Sequence, residues 1–172
     1  MYKTIESNMV FGPFEEADIF EIEKSNVNQM IGSHIRTVEF IMRKEGRHQE
    51  EQILFIEAKS STPQKQISTM RYDEFITEIS EKFIQSFEIY HALKYNRYHT
   101  DVNMGEHLMR QEWDKVHIKF VLIIHGHKKE WLSPLREALM KNMGIHLKIW
   151  KSTVVVLNDE MAKRRKLISE TI

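Results

Sequence analysis

Glu57 and Lys59 stand two residues apart at the end of an apolar run, Gln52-Ile53-Leu54-Phe55-Ile56-Glu57-Ala58-Lys59-Ser60-Ser61. Side chains alternate in an extended segment, so the carboxylate and the ammonium share one face while Ala58 turns to the other. A strand opening with Ile53, Leu54, Phe55 and Ile56 is expected to be buried. Removing one partner of a buried ion pair costs about 3 to 5 kcal/mol, so these charges need an offsetting interaction. A divalent cation on Glu57, with Lys59 beside a water or a phosphate, would supply it. A second acid, Glu39, lies in the middle of the preceding strand-like run His34-Ile35-Arg36-Thr37-Val38-Glu39-Phe40-Ile41-Met42, and the turn-rich Lys44-Glu45-Gly46-Arg47-His48 separates the two runs. Pairing as an antiparallel hairpin would bring Glu39 within reach of Glu57 and set two carboxylates and one lysine at one point of a sheet. Hard cations such as magnesium take one or two protein carboxylates and complete their shell with water and substrate phosphate, so this set is sufficient.

Glu39 followed on the next strand by Glu57-Ala58-Lys59 resembles the PD-(D/E)XK nuclease superfamily, whose signature is an acid on one strand and an acid-x-lysine triplet on the next. The first acid here is glutamate where aspartate is more frequent, and no proline precedes it. The resemblance implies a metal-dependent nuclease that hydrolyses phosphodiester bonds of DNA, with RNA as the lesser alternative. Glu39, Glu57 and the backbone carbonyl of Ala58 would hold Mg²⁺ or Mn²⁺, and Lys59 would position or activate the attacking water. The fold it implies is α/β, a mixed β-sheet flanked by helices with a restriction-endonuclease-like core. A different class of reading is a catalytically inactive module that keeps the nuclease fold and binds a protein or nucleic-acid partner. A third treats Glu57 and Lys59 as a structural ion pair in an unrelated α/β protein.

Several further groups are candidates with plainer alternatives. Asp18 to Ser25 reads as a first strand with Phe20 and Ile22 on one face and Glu21 and Glu23 on the other; Glu23 or Glu21 would be a third acid of the cluster, or an outward polar edge. Ser61 and Gln64 follow the lysine at the mouth of the expected site, where they would bind phosphate oxygens or orient water, or else cap the helix beyond Pro63. His125-Gly126-His127 offers two imidazoles to a metal, or His125 as a proton shuttle, but the glycine favours an ordinary loop. The basic run Lys163-Arg164-Arg165-Lys166 reads as a solvated helix face before it reads as a phosphate site.

The 172 residues suit one domain, 1–172, with one substantial core. A net charge of zero counts against a general nucleic-acid coat protein and leaves room for a local basic groove. There is no cysteine, which excludes disulfides and cysteine-ligated zinc. With no apolar run long enough to span a bilayer and no signal pattern at the N-terminus, a cytoplasmic location without membrane attachment is expected. The expected partner is nucleic acid. A homodimer is a further candidate assembly, and a partner subunit or structure-selective cutting would account for the lack of an obvious specificity domain.

Periodicity gives the remaining elements. Asn26 to Gly32 reads as a short helical turn, and the three- and four-residue spacing of Tyr72, Phe75, Ile76, Ile79, Phe83, Phe87 and Tyr90 predicts a long helix to Leu93, with Ser68 or Thr69 as its cap. Lys94 to Glu112, including His99 and Asp101, has no sustained period and suggests an insertion or flap at about 94–115. Val116 to Ile124 has the continuous apolarity of a central parallel strand. Ser133-Pro134 should cap and start a helix that Gly144 stops, with Leu135, Leu139 and Met143 inward. His146 to Leu157 reads as a strand and Asn158 as the cap of a last helix.

Overall fold

In the computed structural model, which describes residues 1–32, 34–46, 49–98 and 102–172, the chain runs β1 (Tyr2–Glu6), β2 (Met9–Phe14), β3 (Ile19–Phe20), α1 (Val27–Ile31), β4 (Phe40–Glu45), β5 (Glu51–Lys59), α2 (Thr69–Lys94), α3 (Glu106–Arg110), β6 (Val116–Ile124), α4 (Leu132–Asn142), α5 (Gly144–Trp150), β7 (Thr153–Asn158), α6 (Asp159–Arg164) and β8 (Ile168–Thr171). Arg47 and His48 of the hairpin turn, and His99 and Asp101 of the expected insertion, lie outside the described residues. The main sheet has five strands in the order β3-β4-β5-β6-β7. Its first three strands are antiparallel and β5, β6 and β7 are parallel, so the sheet is mixed. No helix among the described residues is long and apolar enough to cross a membrane.

The period-two alternation of β4, β5 and β6 divides the core between the two faces. Ile41, Ile53, Phe55, Phe120, Leu122 and Ile124 turn to α2 and α4. Phe40, Met42, Leu54, Ile56, Ala58, Val121 and Ile123 turn the other way, onto Met9, Phe11 and Ile168 of a small three-stranded sheet, β1-β2-β8, and onto Ala162 of α6. One face is therefore covered by helices and the other mainly by a second sheet, where the sequence suggests helices alone. The β1–β2 hairpin escapes the sequence reading because its turn residues, Ser7 (φ 49°) and Asn8 (φ 63°), occupy two positive-φ positions without the Asn-Gly signature such turns favour.

Other boundaries shift for identifiable reasons. Asp18 to Ser25 is not a full strand: only Ile19–Phe20 pairs with β4, and Glu21 and Glu23 lie on the connection to α1. The expected strand at 146–157 is helical as far as Trp150, and β7 starts at Thr153. Ile145 and Ile149 are exposed on this helix while Leu147 is buried, which removes the amphipathic pattern that would have revealed it. Gly144 begins α5 rather than stopping α4, which ends at Asn142, and α4 starts at Leu132, so Ser133 hydrogen-bonds Glu137 instead of capping. The described residues of the expected flap are docked: the Gly105 N–H donates to the Ile19 carbonyl at 2.9 Å, and the Tyr90 hydroxyl donates to the Leu108 carbonyl at 2.7 Å. A Cβ on Gly105 would lie 2.4 Å from the Ala17 carbonyl oxygen, so only glycine permits this approach.

α2 is the element that organises the site. Ser68 caps it by accepting the Arg71 N–H, and Tyr72, Ile76, Ile79, Phe83, Phe87 and Tyr90 are buried along one stripe. Next to that stripe, Glu78, Lys82, Gln85 and Ser86 recur at helical spacing and form a polar one. Gln85 accepts the Arg36 N–H at 2.8 Å, and Ser86 accepts the Val38 N–H at 2.8 Å in a buried setting. The chain before β4 is thereby fastened to the helix. Replacing Ser86 by alanine should leave the buried Val38 N–H without a partner and lower unfolding free energy by about 1 to 3 kcal/mol. Urea denaturation of Ser86→Ala against the unaltered protein measures this, and an unchanged midpoint would show that the fastening carries no stability.

Candidate active site

The β4–β5 ladder begins with Phe40 opposite Ile56. Continued by one step, the same register sets Glu39 opposite Glu57, so strand alternation directs Glu39, Glu57 and Lys59 to the α2 face. β4 starts one residue later than Glu39, because the chain at 36–38 has turned to bond with α2 instead of β5.

Glu57 is fully buried at 0% exposure. Its Oε1 accepts from Lys82 Nζ at 2.8 Å and lies 3.1 Å from Lys59 Nζ. Its Oε2 is buried and has no hydrogen-bond partner among the described residues. Burial pushes the Glu57 carboxyl up, and Lys82 and Lys59 pull it back. Lys59 also reaches Glu78 Oε1 at 3.3 Å. Burial works to lower the Lys59 ammonium, but Glu57 and Glu78 outweigh it and hold Lys59 above its ordinary value.

Glu39 is half-buried and its carboxyl is pushed up to about 9, first by burial, then by a hydrogen bond with Glu23 and by the negative charges of Glu57 and Glu23, with Lys82 opposing. At neutral pH the Glu39 carboxyl therefore keeps its proton. Lys82 Nζ stands 3.9 Å from Glu23 Oε1, which ties the third acid to the same ammonium that holds Glu57. Glu23 reaches this point from the β3–α1 connection and not from a strand edge.

Four of the sequence candidates, Glu23, Glu39, Glu57 and Lys59, thus converge on one face at the carboxyl end of β5. The main-chain groups of Lys59 point to β6, where its carbonyl accepts the His125 N–H at 2.9 Å. By alternation the Ala58 carbonyl points toward β4, past the end of the ladder at Phe40. Ser61 and Gln64 are exposed on the loop after β5, and Gln64 lines a separate cavity with His127 and Trp131. His125 pairs through Nδ1 with Asp159 Oδ1 at 3.2 Å, and the Gly126 N–H donates to Asp159 Oδ2 at 2.7 Å, so this loop is fastened to the start of α6. The basic run 163–166 is exposed near the end of α6, which packs on the sheet face opposite Glu57.

Lys82 and Glu78 are the members that strand-based reasoning does not find. Their signal is the polar stripe on α2, legible only once that helix is known to lie over β5.

The sign of the Glu39 shift makes a thermodynamic prediction. Its folded-state value lies above the ordinary 4.5, so its contribution to stability is complete below pH 4.5 and is lost as the pH rises through about 9. Glu39→Gln keeps a neutral hydrogen-bonding group there. In chelator-treated buffer its melting temperature should fall less steeply than that of the unaltered protein over that interval; parallel pH profiles would show that Glu39 does not hold a proton in the fold. Burial of Glu57 acts in the same direction, so the variant's profile should be flatter without being flat.

Neither a family model, nor a curated protein, nor a solved structure matches this chain, so its chemistry rests on the geometry of the carboxylate–lysine cluster.

Proposed function

We propose that this chain is a metal-dependent nuclease of the PD-(D/E)XK type, hydrolysing phosphodiester bonds of DNA ahead of RNA. One observation carries the reading: a fully buried glutamate at the end of a central strand has one oxygen held by two lysines and the other without a partner, beside a carboxyl pair that retains a proton. A structural salt bridge has no use for the unpartnered oxygen or the crowded acids. An antiparallel hairpin leading through a long helix into parallel strands, with the acids on the helix-covered face, also agrees with a restriction-endonuclease-like core.

The residues fit a divalent cation. Glu57 Oε2 lacks a partner among the described residues, Ala58 lies past the end of the β4–β5 pairing, and Glu39 would exchange its proton for the ion. Among the described residues no three His, Cys, Asp or Glu side chains form a ready-made metal shell, and Mg²⁺ or Mn²⁺ held by Glu57, Glu39 and the Ala58 carbonyl would complete its coordination with water and phosphate. When bound, such an ion polarises a phosphoryl oxygen and lowers the pKa of water. Lys59, held protonated by Glu57 and Glu78, acts as a cation that hydrogen-bonds the attacking oxygen or the phosphoryl oxygens as charge builds, not as a base. Lys82 opposes the effect of burial on Glu57 and aims its Oε1, and Glu23 helps Glu39 keep its proton.

The second reading, an inactive module on the same fold, is favoured by the double lysine pairing of Glu57, which already compensates much of its charge. Calorimetric titration with Mn²⁺ separates the two. The unaltered protein should bind with proton release and more tightly as pH rises, and Glu57→Ala should lose the binding. In a cleavage assay on plasmid and single-stranded DNA, Lys59→Ala should lower the rate by about 100-fold or more. Mn²⁺ binding without cleavage would leave the inactive module; no Mn²⁺ binding would remove the nuclease reading.

A further inference from the structure

A second concave site opens at the same end of the sheet. The loops that follow β5 and β6 enclose a cavity of about 300 Å³, lined by Gln64, Lys65, Gln66, Tyr72, His127 and Trp131 among others. In open α/β sheets the space beyond the carboxyl ends of the parallel strands is where ligands are received. The volume is at the lower limit of small-molecule pockets, which suits one planar ring system better than an extended ligand.

The lining has the parts that a nucleotide requires. Trp131 is 42% exposed, with the His127 ring packed edge-to-face against it at 5.2 Å between centroids. Tyr72 forms a fixed wall, its hydroxyl donating to the Pro134 carbonyl at 3.5 Å. A cation stands over each ring, Lys65 Nζ at 5.8 Å from the Tyr72 centroid and Lys128 Nζ at 5.1 Å from that of Trp131. Gln64 and Gln66 bring amides with both donors and acceptors, the groups that read base edges. Burial holds the His127 imidazole below its usual range, so it offers one donor and one acceptor instead of another charge. On the other side of the cluster, Asp73, Glu74, Glu78 and Glu81 line the exposed face of α2. A polyanion is repelled there and directed to the lysine-bearing loops.

We propose that this cavity is a nucleobase subsite that takes one unstacked base of a single strand, stacked on Trp131, with Lys65 and Lys128 on the flanking phosphates. The inference rests on the nuclease reading, since Lys59 at the adjoining strand end gives a strand its reason to lie there. Substrates with unpaired bases are then bound in preference to intact duplex.

The test is fluorescence anisotropy of a short end-labelled single-stranded DNA with the full chain in EDTA, compared with the same strand carrying one abasic position. The normal strand should bind about 10-fold more tightly than the abasic one, the order expected for one base–aromatic stack. Trp131→Ala should erase that difference and Trp131→Phe should restore most of it. Equal binding of the two strands by the unaltered protein, or a preference that survives Trp131→Ala, overturns the subsite. Cleavage with Mn²⁺ is measured separately. Base-dependent binding without cleavage retains the subsite and removes the hydrolytic reading; cleavage with indifference to the abasic position does the reverse.

Discussion

A carboxylate taken wholly out of water at the end of β5 is the constraint around which this molecule is arranged. Glu57 cannot stay ionised in that position without cations at contact distance, and two elements supply them, β5 itself through Lys59 and α2 through Lys82. Lys82 can do so only if α2 lies over the strand at a fixed height, which the apolar stripe from Tyr72 to Tyr90 and the Ser68 cap determine. The bonds from Gln85 and Ser86 to the chain at 36–38 then bring Glu39 to the same point. Replacing buried ion pairs by well-packed apolar residues is often neutral or stabilising. A structural role alone would therefore favour leucine or methionine at these positions, so six charged or acidic groups around one strand end argue for more than packing.

The sequence shows the part of this that depends on short periods. Alternation through Ile53 to Lys59 gives the strand, the shared face of Glu57 and Lys59, and, with the turn at 44–48, a hairpin partner carrying Glu39. Three- and four-residue spacing gives α2 and its core face. What stays hidden depends on tertiary placement. Glu23 looks like a strand-edge residue because Phe20 and Ile22 alternate, yet the strand ends at Phe20 and the connection carries the acid, still exposed, to Glu39 and Lys82. Lys82 looks like a solvated helix lysine, and only the position of β5 beneath it gives it a partner. The small sheet β1-β2-β8 brings the first and last segments together, a pairing across most of the chain that no local pattern encodes.

Zero net charge conceals a strong local asymmetry. One side of the cluster is the acidic face of α2, with Asp73, Glu74, Glu78 and Glu81, and the other is formed by loops that carry Lys65 and Lys128. Composition sums these to nothing, but a charged ligand meets them one at a time, within a Debye length of roughly 10 Å. A single domain can on these terms guide a polyanion without a basic excess.

The charge state of the cluster itself links burial to the proposed chemistry. With Glu39 keeping its proton, the side chains of Glu23, Glu57 and Glu78 face Lys59 and Lys82, so acids outnumber lysines around the strand end. Under the proposed function, exchanging the Glu39 proton for a divalent cation would offset that excess of acids. The elevated pKa of Glu39 would then let it act, in the proposed nuclease, as a proton-releasing ligand. Its elevation follows from the same exclusion of water that would strengthen the ion's hold once bound.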